Sequence, residues 1–357
     1  MKTDLRRAQD FAQRLGTRVP ILLAPMAGVP AVALATAVAN AGGMAALGAL
    51  LMDSAAIADW VARYRAASVG PLQINLWVPD PAPQRDAAHE DRLSTFLGRF
   101  GPPVAPQAGD APLQSFAAQC DGLLAARPRA VSSIMGLYPP AVVQRLKDLD
   151  ILWMANVTSV AEARAAEAAG ADIIVAQGSE AGGHRGAFDA ASARDRAVGL
   201  MALLPQVVDA VRLPVVATGG IGDARGVAAA LTLGASAVQL GTAFLRCPQA
   251  GIAPAWAEGL HGLAPEDTQL TCAFSGRWGR AMATEYVRAA AQPDAPQPAP
   301  YPVQRGLTAA MRKAAEQEGR LQQMQAWAGQ AAGLGPALPA EELVRRLWAG
   351  AQERLGA

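Results

Sequence analysis

The sequence predicts a (β/α)₈ barrel, and three observations lead to that fold. Short apolar runs, each followed by a turn that contains Gly or Pro, alternate with Ala-rich stretches of helical pattern. Eight such runs occur, which is the number of strands that closes this type of barrel. Of the 357 residues, 52% are hydrophobic and only 17% are charged, as expected where parallel strands are buried on both faces.

The predicted strands are uncharged segments that lie beside turns. In chain order they are Ile21–Leu23, Met44–Leu47, Leu72–Leu76, Ala130–Ser133, Leu152–Asn156, Ile173–Ala176, Val215–Ala217 and Ala237–Leu240. Helices are predicted between them, and two are especially clear. Val160–Ala169 begins after Ser159, a suitable N-cap, and ends at Gly170, whereas Ala224–Leu233 ends at Gly234.

Two segments lie outside the eightfold pattern. Residues 79–112, after the third strand, are rich in Pro, Asp and Gln and predict an insertion. The five prolines of Gln292–Pro302 predict a linker, and Leu307–Gly333 and Glu341–Leu355 predict amphipathic helices. We therefore expect a barrel over residues 1–290 and a C-terminal helical extension over residues 291–357. The extension is expected to cover the barrel mouth or to pack on the side of the barrel.

Charge and composition disfavour several classes of function. The 31 basic and 30 acidic residues give a net charge of +1, and no basic stripe indicates binding to nucleic acid or to a membrane surface. Three cysteines without a CxxC spacing suit a reducing, cytoplasmic location. The histidines show no HxH or HExxH spacing, so we expect no metal site. The uncharged run over residues 19–52 is interrupted by Pro and Gly and does not predict a membrane span.

The loops after the last two predicted strands indicate a phosphate site. In this fold, the loops at the C-terminal ends of the strands build the active site. Gly219-Gly220 and Gly241-Thr242 would place unhindered backbone N–H groups side by side, and the helices that follow would add their positive N-termini. Glycine suits this role because a Cβ would keep the backbone away from the anion. The sequence therefore predicts a ligand that carries a phosphate group.

The loop after the sixth predicted strand contains the strongest catalytic candidate. His184 lies there among four glycines, at the predicted mouth of the barrel. We predict a catalytic role for this residue, because the ordinary pKa of imidazole suits proton transfer near neutral pH. His89, in the polar insertion, and His261, in a Gly-Leu-His-Gly turn, are interpreted as residues without a role in catalysis.

Taken in order, these loops resemble the nitronate monooxygenase family, formerly called 2-nitropropane dioxygenases. The similar motifs are Ala24-Pro-Met26-Ala-Gly-Val, Gln177-Gly-Ser-Glu-Ala-Gly-Gly-His184-Arg-Gly, Ala217-Thr-Gly-Gly-Ile-Gly222 and Gln239-Leu-Gly-Thr242. The chain length and the element Phe274-Ser-Gly-Arg277 are similar to the class I enzymes. After that element the chain departs from the family pattern, since Trp278-Gly-Arg-Ala281 replaces a sequence of the Pro-Ala-Arg-Gly type.

The resemblance implies a flavin mononucleotide (FMN) that is bound without a covalent link. Carried over position by position, it implies flavin contacts from Asn75, Gln177, Gly182, Gly219, Gln239, Leu240, Gly241 and Thr242, with Met26 at the isoalloxazine ring and Ser275 also reaching the flavin. The residue chemistry agrees, because the amides of Asn75 and Gln177 suit the N and O edge of the ring. His184 is then expected above the reactive face.

The resemblance also implies the reaction, which is the oxidation of alkyl nitronates such as propionate 3-nitronate, and of nitroalkanes, by O₂ to oxo compounds and nitrite. A protonated His184 would hold the anionic nitronate, whereas a neutral His184 would take the α-proton of a nitroalkane, and the sequence leaves both roles open.

An alternative function keeps the flavin and changes the electron donor. NAD(P)H-dependent FMN reductases, of the enoyl-acyl-carrier-protein reductase or quinone reductase type, resemble this motif set closely. A barrel like inosine monophosphate dehydrogenase is disfavoured, because no cysteine lies between Cys120 and Cys247. The sequence does not decide between a monomer and a homodimer.

Overall fold

The computed structural model describes residues 3–29 and 31–356, and it contains eight parallel strands arranged as a barrel. The strands are β1 (Ile21–Leu23), β2 (Ala45–Gly48), β3 (Leu72–Trp77), β4 (Ala130–Ile134), β5 (Leu152–Val157), β6 (Ile173–Gln177), β7 (Gly183–His184), β8 (Val215–Thr218), β9 (Ala237–Leu240), β10 (Thr268–Thr271) and β11 (Gly279–Met282). The barrel order is β1-β9-β8-β6-β5-β4-β3-β2, and the bridge between Leu22 and Met44 joins its two ends. The predicted fold class is confirmed, and each predicted barrel strand is within one residue of the observed one.

Helices surround the barrel and extend beyond it. They are α1 (Thr3–Leu15), α2 (Val32–Asn40), α3 (Ser54–Ala67), α4 (Ala87–Leu97), α5 (Phe116–Ala126), α6 (Pro140–Asp148), α7 (Val160–Ala168), α8 (Leu200–Ala210), α9 (Ala224–Thr232), α10 (Pro254–Gly259), α11 (Glu285–Ala290), α12 (Val303–Leu307), α13 (Ala309–Gln317) and α14 (Ala340–Leu355). The predicted caps of α7 are confirmed: Ser159 Oγ accepts the Glu162 N–H, and Gly170 has a φ of +93°.

The barrel interior changes from apolar to polar along the strands. Near the N-terminal ends, the inward side chains pack against Phe11 and Leu15 of α1. Inward positions recur every second residue, so on β6 Val175 is followed by Gln177. The inward positions at the C-terminal ends are buried and polar, namely Asn75, Ser132, Asn156, Gln177, Thr218 and Gln239. Hydrogen-bonding groups therefore form the floor of the barrel mouth.

The insertion and the C-terminal region form a second core beside the mouth. Phe96 and Phe100, from the insertion and its helix α4, pack there with Phe274, Tyr286 and Met311. Farther along the chain, α14 packs on the outer side of the barrel against α2 and α9. The C-terminal region therefore contacts the barrel at two places, the mouth and the side.

The single long helix predicted over Leu307–Gly333 is wrong. Helix α13 ends at Gln317, and Gly319 follows with a φ of +67°, a conformation that commonly terminates helices. Beyond it the chain runs beside β11, where Met282 N–H donates to Ala326 O at 2.9 Å. Pairing with the end of β11 that β7 leaves unpaired thus replaces the helix expected from the local pattern.

The uncharged run over residues 19–52 contains β1, α2 and β2, so its apolar side chains belong to the barrel and its outer layer. Within residues 3–29 and 31–356, no helix combines the length and the apolar character needed to cross a bilayer.

Candidate active site

A cavity of about 280 Å³ opens at the C-terminal ends of the barrel strands. It is lined by all the residues predicted for the site, namely Met26, Asn75, Gln177, Gly182, His184, Gly219, Gly220, Gln239, Leu240, Gly241, Thr242 and Ser275. The structure thus brings one catalytic candidate and eleven cofactor candidates together in one place. Their individual contacts with a ligand stay predictions.

The two glycine loops present backbone donors to this cavity. Gly219 and Gly220 have φ angles of +105° and +68°, in the region that side chains other than glycine rarely adopt. In the part of the chain that the structure describes, the N–H groups of Gly219, Gly220 and Gly241 donate to no protein acceptor. Unpaired N–H groups on a glycine loop form a concave site for an anion, which fits the predicted phosphate.

The segments after β8 and β9 differ from the two free helix N-termini expected at the predicted phosphate site. The N-terminus of α9 is capped by its own residue Asp223, whose carboxylate accepts from Arg225 N–H at 2.9 Å and from Gly226 N–H at 3.3 Å. After β9 the chain forms only the short 3₁₀ turn Thr242–Phe244. The N–H groups of the glycine loops are therefore the donors left for the predicted phosphate.

The C-terminal segment closes over the mouth beside the His184 loop. Gly329 N–H donates to Thr242 Oγ1 at 3.1 Å, and Gln330 N–H donates to Glu180 O at 2.9 Å. A Cβ on Gly182 would lie 2.5 Å from the Gly329 nitrogen, so glycine is required for this approach. The segment thereby places further residues on the cavity wall, namely Tyr301, Arg305, Arg312, Gln325, Trp327, Gly329 and Ala331.

His184 is held by its backbone and by its ring. Its strand β7 pairs with β11, with Gly279 opposite His184, and Arg185 N–H donates to Trp278 O at 2.8 Å. The segment that departs from the family pattern therefore includes the strand that supports His184. The ring contacts two indoles, those of Trp77 and Trp327, each with a centroid distance of 4.7 Å.

The surroundings of His184 keep its ring neutral. Burial, together with the positive charges of Arg277, Arg305 and Arg312, lowers the pKa of His184 to about 3. A neutral imidazole can accept a proton and cannot offer a positive charge to an anion. Of the two roles that the sequence left open, this environment disfavours the protonated ring that would hold an anionic nitronate.

The lowered pKa predicts that stability decreases in mild acid. In the unfolded chain a histidine titrates near its ordinary pKa of about 6.5. At pH 5 the His184 ring is therefore protonated in the unfolded state and neutral in the folded state. The stabilisation is complete above about pH 6.5 and is lost as the pH falls toward 3. Between pH 7 and pH 5, the free energy of unfolding should fall by up to about 2 kcal/mol more in the wild type than in His184→Asn. Urea denaturation at the two pH values measures this, and equal losses would contradict a neutral His184.

Two predicted amides also hold the floor and the loop in place. Asn75 Nδ2 donates to Ser132 O at 3.1 Å, so its carbonyl oxygen is the group left for a ligand. Gln177 Nε2 donates to His184 O at 3.1 Å, and Gln177 Oε1 accepts the Gly186 N–H at 2.8 Å. Gln177 therefore ties the base of the His184 loop to the barrel.

The polar atoms of the cavity fit a flavin nucleotide. The glycine loops offer N–H groups to a phosphate, and two buried donors on the wall have no hydrogen-bond partner among the described residues, Asn156 Nδ2 and Trp256 Nε1. Unpaired buried donors are costly in a folded chain, and a heterocycle rich in N and O atoms would satisfy them.

Sequence reasoning missed several wall residues. Asn156 and Thr218 lie at the next inward positions after Met154 and Val216, so strand alternation could have found them. Arg305 and Arg312 are seven residues apart, a spacing that indicates one face of a helix. Trp327 had no such signal, because its place depends on pairing with β11.

Comparisons with known proteins agree with this geometry. The sequence profile of the nitronate monooxygenase family matches residues 10–350. A nitronate monooxygenase from Paraburkholderia phytofirmans is 41% identical over 351 residues, which cover 97% of this chain and 95% of that protein. Among solved structures, a nitroalkane oxidase from Streptomyces ansochromogenes has a TM-score of 0.87 at 34% identity, covering 97% of this chain and 100% of that one. FabK from Thermotoga maritima has a TM-score of 0.75 at 26% identity, covering 98% and 96%.

Proposed function

The chain belongs to the nitronate monooxygenase family, and on that premise we propose that it oxidises alkyl nitronates of the propionate 3-nitronate type with O₂. The products are an oxo compound and nitrite. Membership of this family makes the protein a flavin-dependent oxidoreductase, and we propose FMN as the flavin. One observation carries the proposal: His184 lines the same cavity as the glycine loops suited to a phosphate.

The residues that line the cavity have different roles in the proposed reaction. When bound, the flavin supplies the redox chemistry. The Gly219-Gly220 loop and Gly241 hold its phosphate, while Asn75 offers a carbonyl oxygen to its ring. Neutral His184 takes the α-proton when the substrate arrives as a nitroalkane, whereas a substrate that arrives as the nitronate needs no base.

Two arginines favour a substrate with a negative charge of its own. Arg305 and Arg312 line the cavity, and neither forms an ion pair with a carboxylate in the described part of the chain. Arg312 is held in place, because its guanidinium donates to Gln325 Oε1 at 3.1 Å and to Arg305 O at 2.9 Å. The Arg305 side chain is thus the cation best able to meet a substrate carboxylate, as in propionate 3-nitronate.

Replacing Arg305 with Gln should therefore raise the KM for propionate 3-nitronate by about 10- to 100-fold, since a charge-assisted hydrogen bond is worth roughly 1.5–3 kcal/mol. The KM for a nitronate without a carboxylate should change little. Nitrite release with both substrates measures the difference, with Arg345→Gln on the exposed face of α14 as the control. Equal increases with both substrates would contradict a carboxylate contact.

The cofactor and the reaction can be tested together on the purified protein. Acid release followed by mass spectrometry should give FMN, and incubation with propionate 3-nitronate in air should consume O₂ and release nitrite. Release of flavin adenine dinucleotide would overturn the FMN assignment, and absence of nitrite would overturn the reaction. The FMN reductase expected as the alternative would instead oxidise NADH or NADPH and release no nitrite.

A further inference from the structure

Arg277, one of the three arginines whose charges lower the pKa of His184, also forms a buried ion pair. Its side chain is only 3% exposed, and its guanidinium makes two bonds to the Asp80 carboxylate: Nε lies 2.7 Å from Oδ2, and Nη2 donates to Oδ1. Asp80 begins the insertion after β3, whereas Arg277 lies between β10 and β11. The pair therefore ties the insertion to the turn that precedes β11.

Ser275 connects this turn to His184. Its hydroxyl oxygen lies 2.7 Å from His184 Nε2, and it also contacts both backbone groups of Arg277. Arg277 N–H donates to Ser275 Oγ at 3.3 Å, and Ser275 Oγ lies 3.2 Å from Arg277 O. Ser275 is 1% exposed, so these contacts face no competition from bulk water.

The three contacts of the Ser275 hydroxyl, with His184 Nε2, Arg277 N–H and Arg277 O, favour one of the two neutral tautomers of His184. A hydroxyl has one hydrogen to donate and two lone pairs that accept. If the Ser275 hydrogen goes to Arg277 O, the lone pairs accept from Arg277 N–H and from His184 Nε2–H, and all three contacts are hydrogen bonds. If that hydrogen goes to His184 Nε2, the bond to Arg277 O is lost. The first arrangement satisfies more groups in a buried site, where each lost bond is costly.

We propose that the Asp80–Arg277 ion pair positions Ser275 so that neutral His184 carries its hydrogen on Nε2 and keeps a lone pair on Nδ1. Asp80 and Arg277 are positioning residues, because they act through Ser275. The hydrogen bond that one ring nitrogen makes fixes the protonation of the other. The catalytic consequence rests on the proposed function, in which His184 accepts a proton, whereas the tautomer is a property of the protein alone.

Nitrogen NMR of the holoenzyme tests the tautomer directly. The chain has three histidines, so protein labelled with ¹⁵N only in histidine gives three ring patterns, and His184→Asn identifies the one that belongs to residue 184. At pH 7 we expect a protonated Nε2 and an unprotonated Nδ1. A hydrogen on Nδ1 would overturn the proposal, whatever the activity of the protein.

Asp80→Asn and Ser275→Ala then test the positioning. In both variants the His184 nitrogens should report a mixture of tautomers, and kcat with a nitroalkane should fall at least about tenfold, with KM changed much less. The matched control is Asp110→Asn, which removes an exposed carboxylate of the same insertion from its pair with Arg85 and should leave both readouts unchanged.

Wild-type nitrogen signals and an unchanged kcat in Asp80→Asn would overturn the role of the ion pair. Should Asp80→Asn not fold, Arg277→Lys, which keeps the charge and loses the two-bond contact with Asp80, tests the ion pair by the same two readouts. A protein without nitronate activity that still loses its tautomer in Asp80→Asn would refute the proposed function and leave this inference standing.

Discussion

Replacing His184 with Asn should lower kcat/KM for a nitroalkane by about 10²–10⁴-fold, the usual contribution of a positioned base, while turnover of the matching nitronate stays within a few-fold of the wild type. A nitroalkane must lose its α-proton before oxidation, whereas a nitronate has already lost it. Glu180 is a carboxylate on the same wall, but it is engaged at the start of α8, where it accepts the Leu200 N–H at 2.9 Å. His184 is therefore the side chain placed to take the proton.

The experiment compares the two substrates on each protein at pH 7. His261→Asn is the matched control, since His261 lies on an exposed turn outside the cavity, and it should behave as the wild type. Equal losses with nitroalkane and nitronate would assign His184 to binding instead of proton transfer. Unchanged turnover of both would remove His184 from the active site.

Replacing Gly219 with Ala should weaken FMN binding by about 10- to 100-fold. The φ of +105° is poorly accessible to Ala, and the added Cβ would lie 3.1 Å from both Ala181 N and Gly178 O. A strained residue of this kind costs roughly 1–3 kcal/mol, and relief of that strain would turn the loop N–H groups away from the phosphate. The effect should therefore depend on the phosphate of the ligand.

Titration of the flavin-free protein with FMN and with riboflavin, which lacks the phosphate, separates these effects. We expect the wild type to prefer FMN, and Gly219→Ala to lose most of that preference while it keeps its affinity for riboflavin. Gly98→Ala is the control, because Gly98 ends α4 with an ordinary φ of −59° and a Cβ there would make only van der Waals contacts. Equal affinity of the wild type for both ligands would contradict a phosphate site in the glycine loops.

The barrel and the centre of its site could be predicted because their signals are local in sequence. Each strand is a short apolar run beside a turn, and the active-site loops follow strand ends directly. Met26, His184 and Gly219 could therefore be placed at one mouth once the strands were counted. The period of two along the strands would also have placed Asn156 on the floor.

The wall of the site could not be predicted, because it depends on contacts between distant parts of the chain. Asp80 and Arg277 are 197 residues apart and meet only because the insertion and the turn before β11 share the second core. The helical pattern after Leu307 gives no sign that Gly319 ends the helix or that the following segment pairs with β11 beyond β7, although these two features bring Trp327 to His184. The predicted phosphate site also has fewer free helix donors nearby than expected, since the Asp223 side chain caps the N-terminus of α9.

We propose above all that this barrel oxidises nitronates with a bound flavin. The most direct test is the visible spectrum of the purified holoenzyme under anaerobic conditions, with propionate 3-nitronate in one cuvette and NADH or NADPH in another. We predict that the nitronate changes the flavin absorption and that the pyridine nucleotides leave it unchanged. Reduction by a pyridine nucleotide, with no response to the nitronate, would contradict the account and make the protein a reductase on the same barrel.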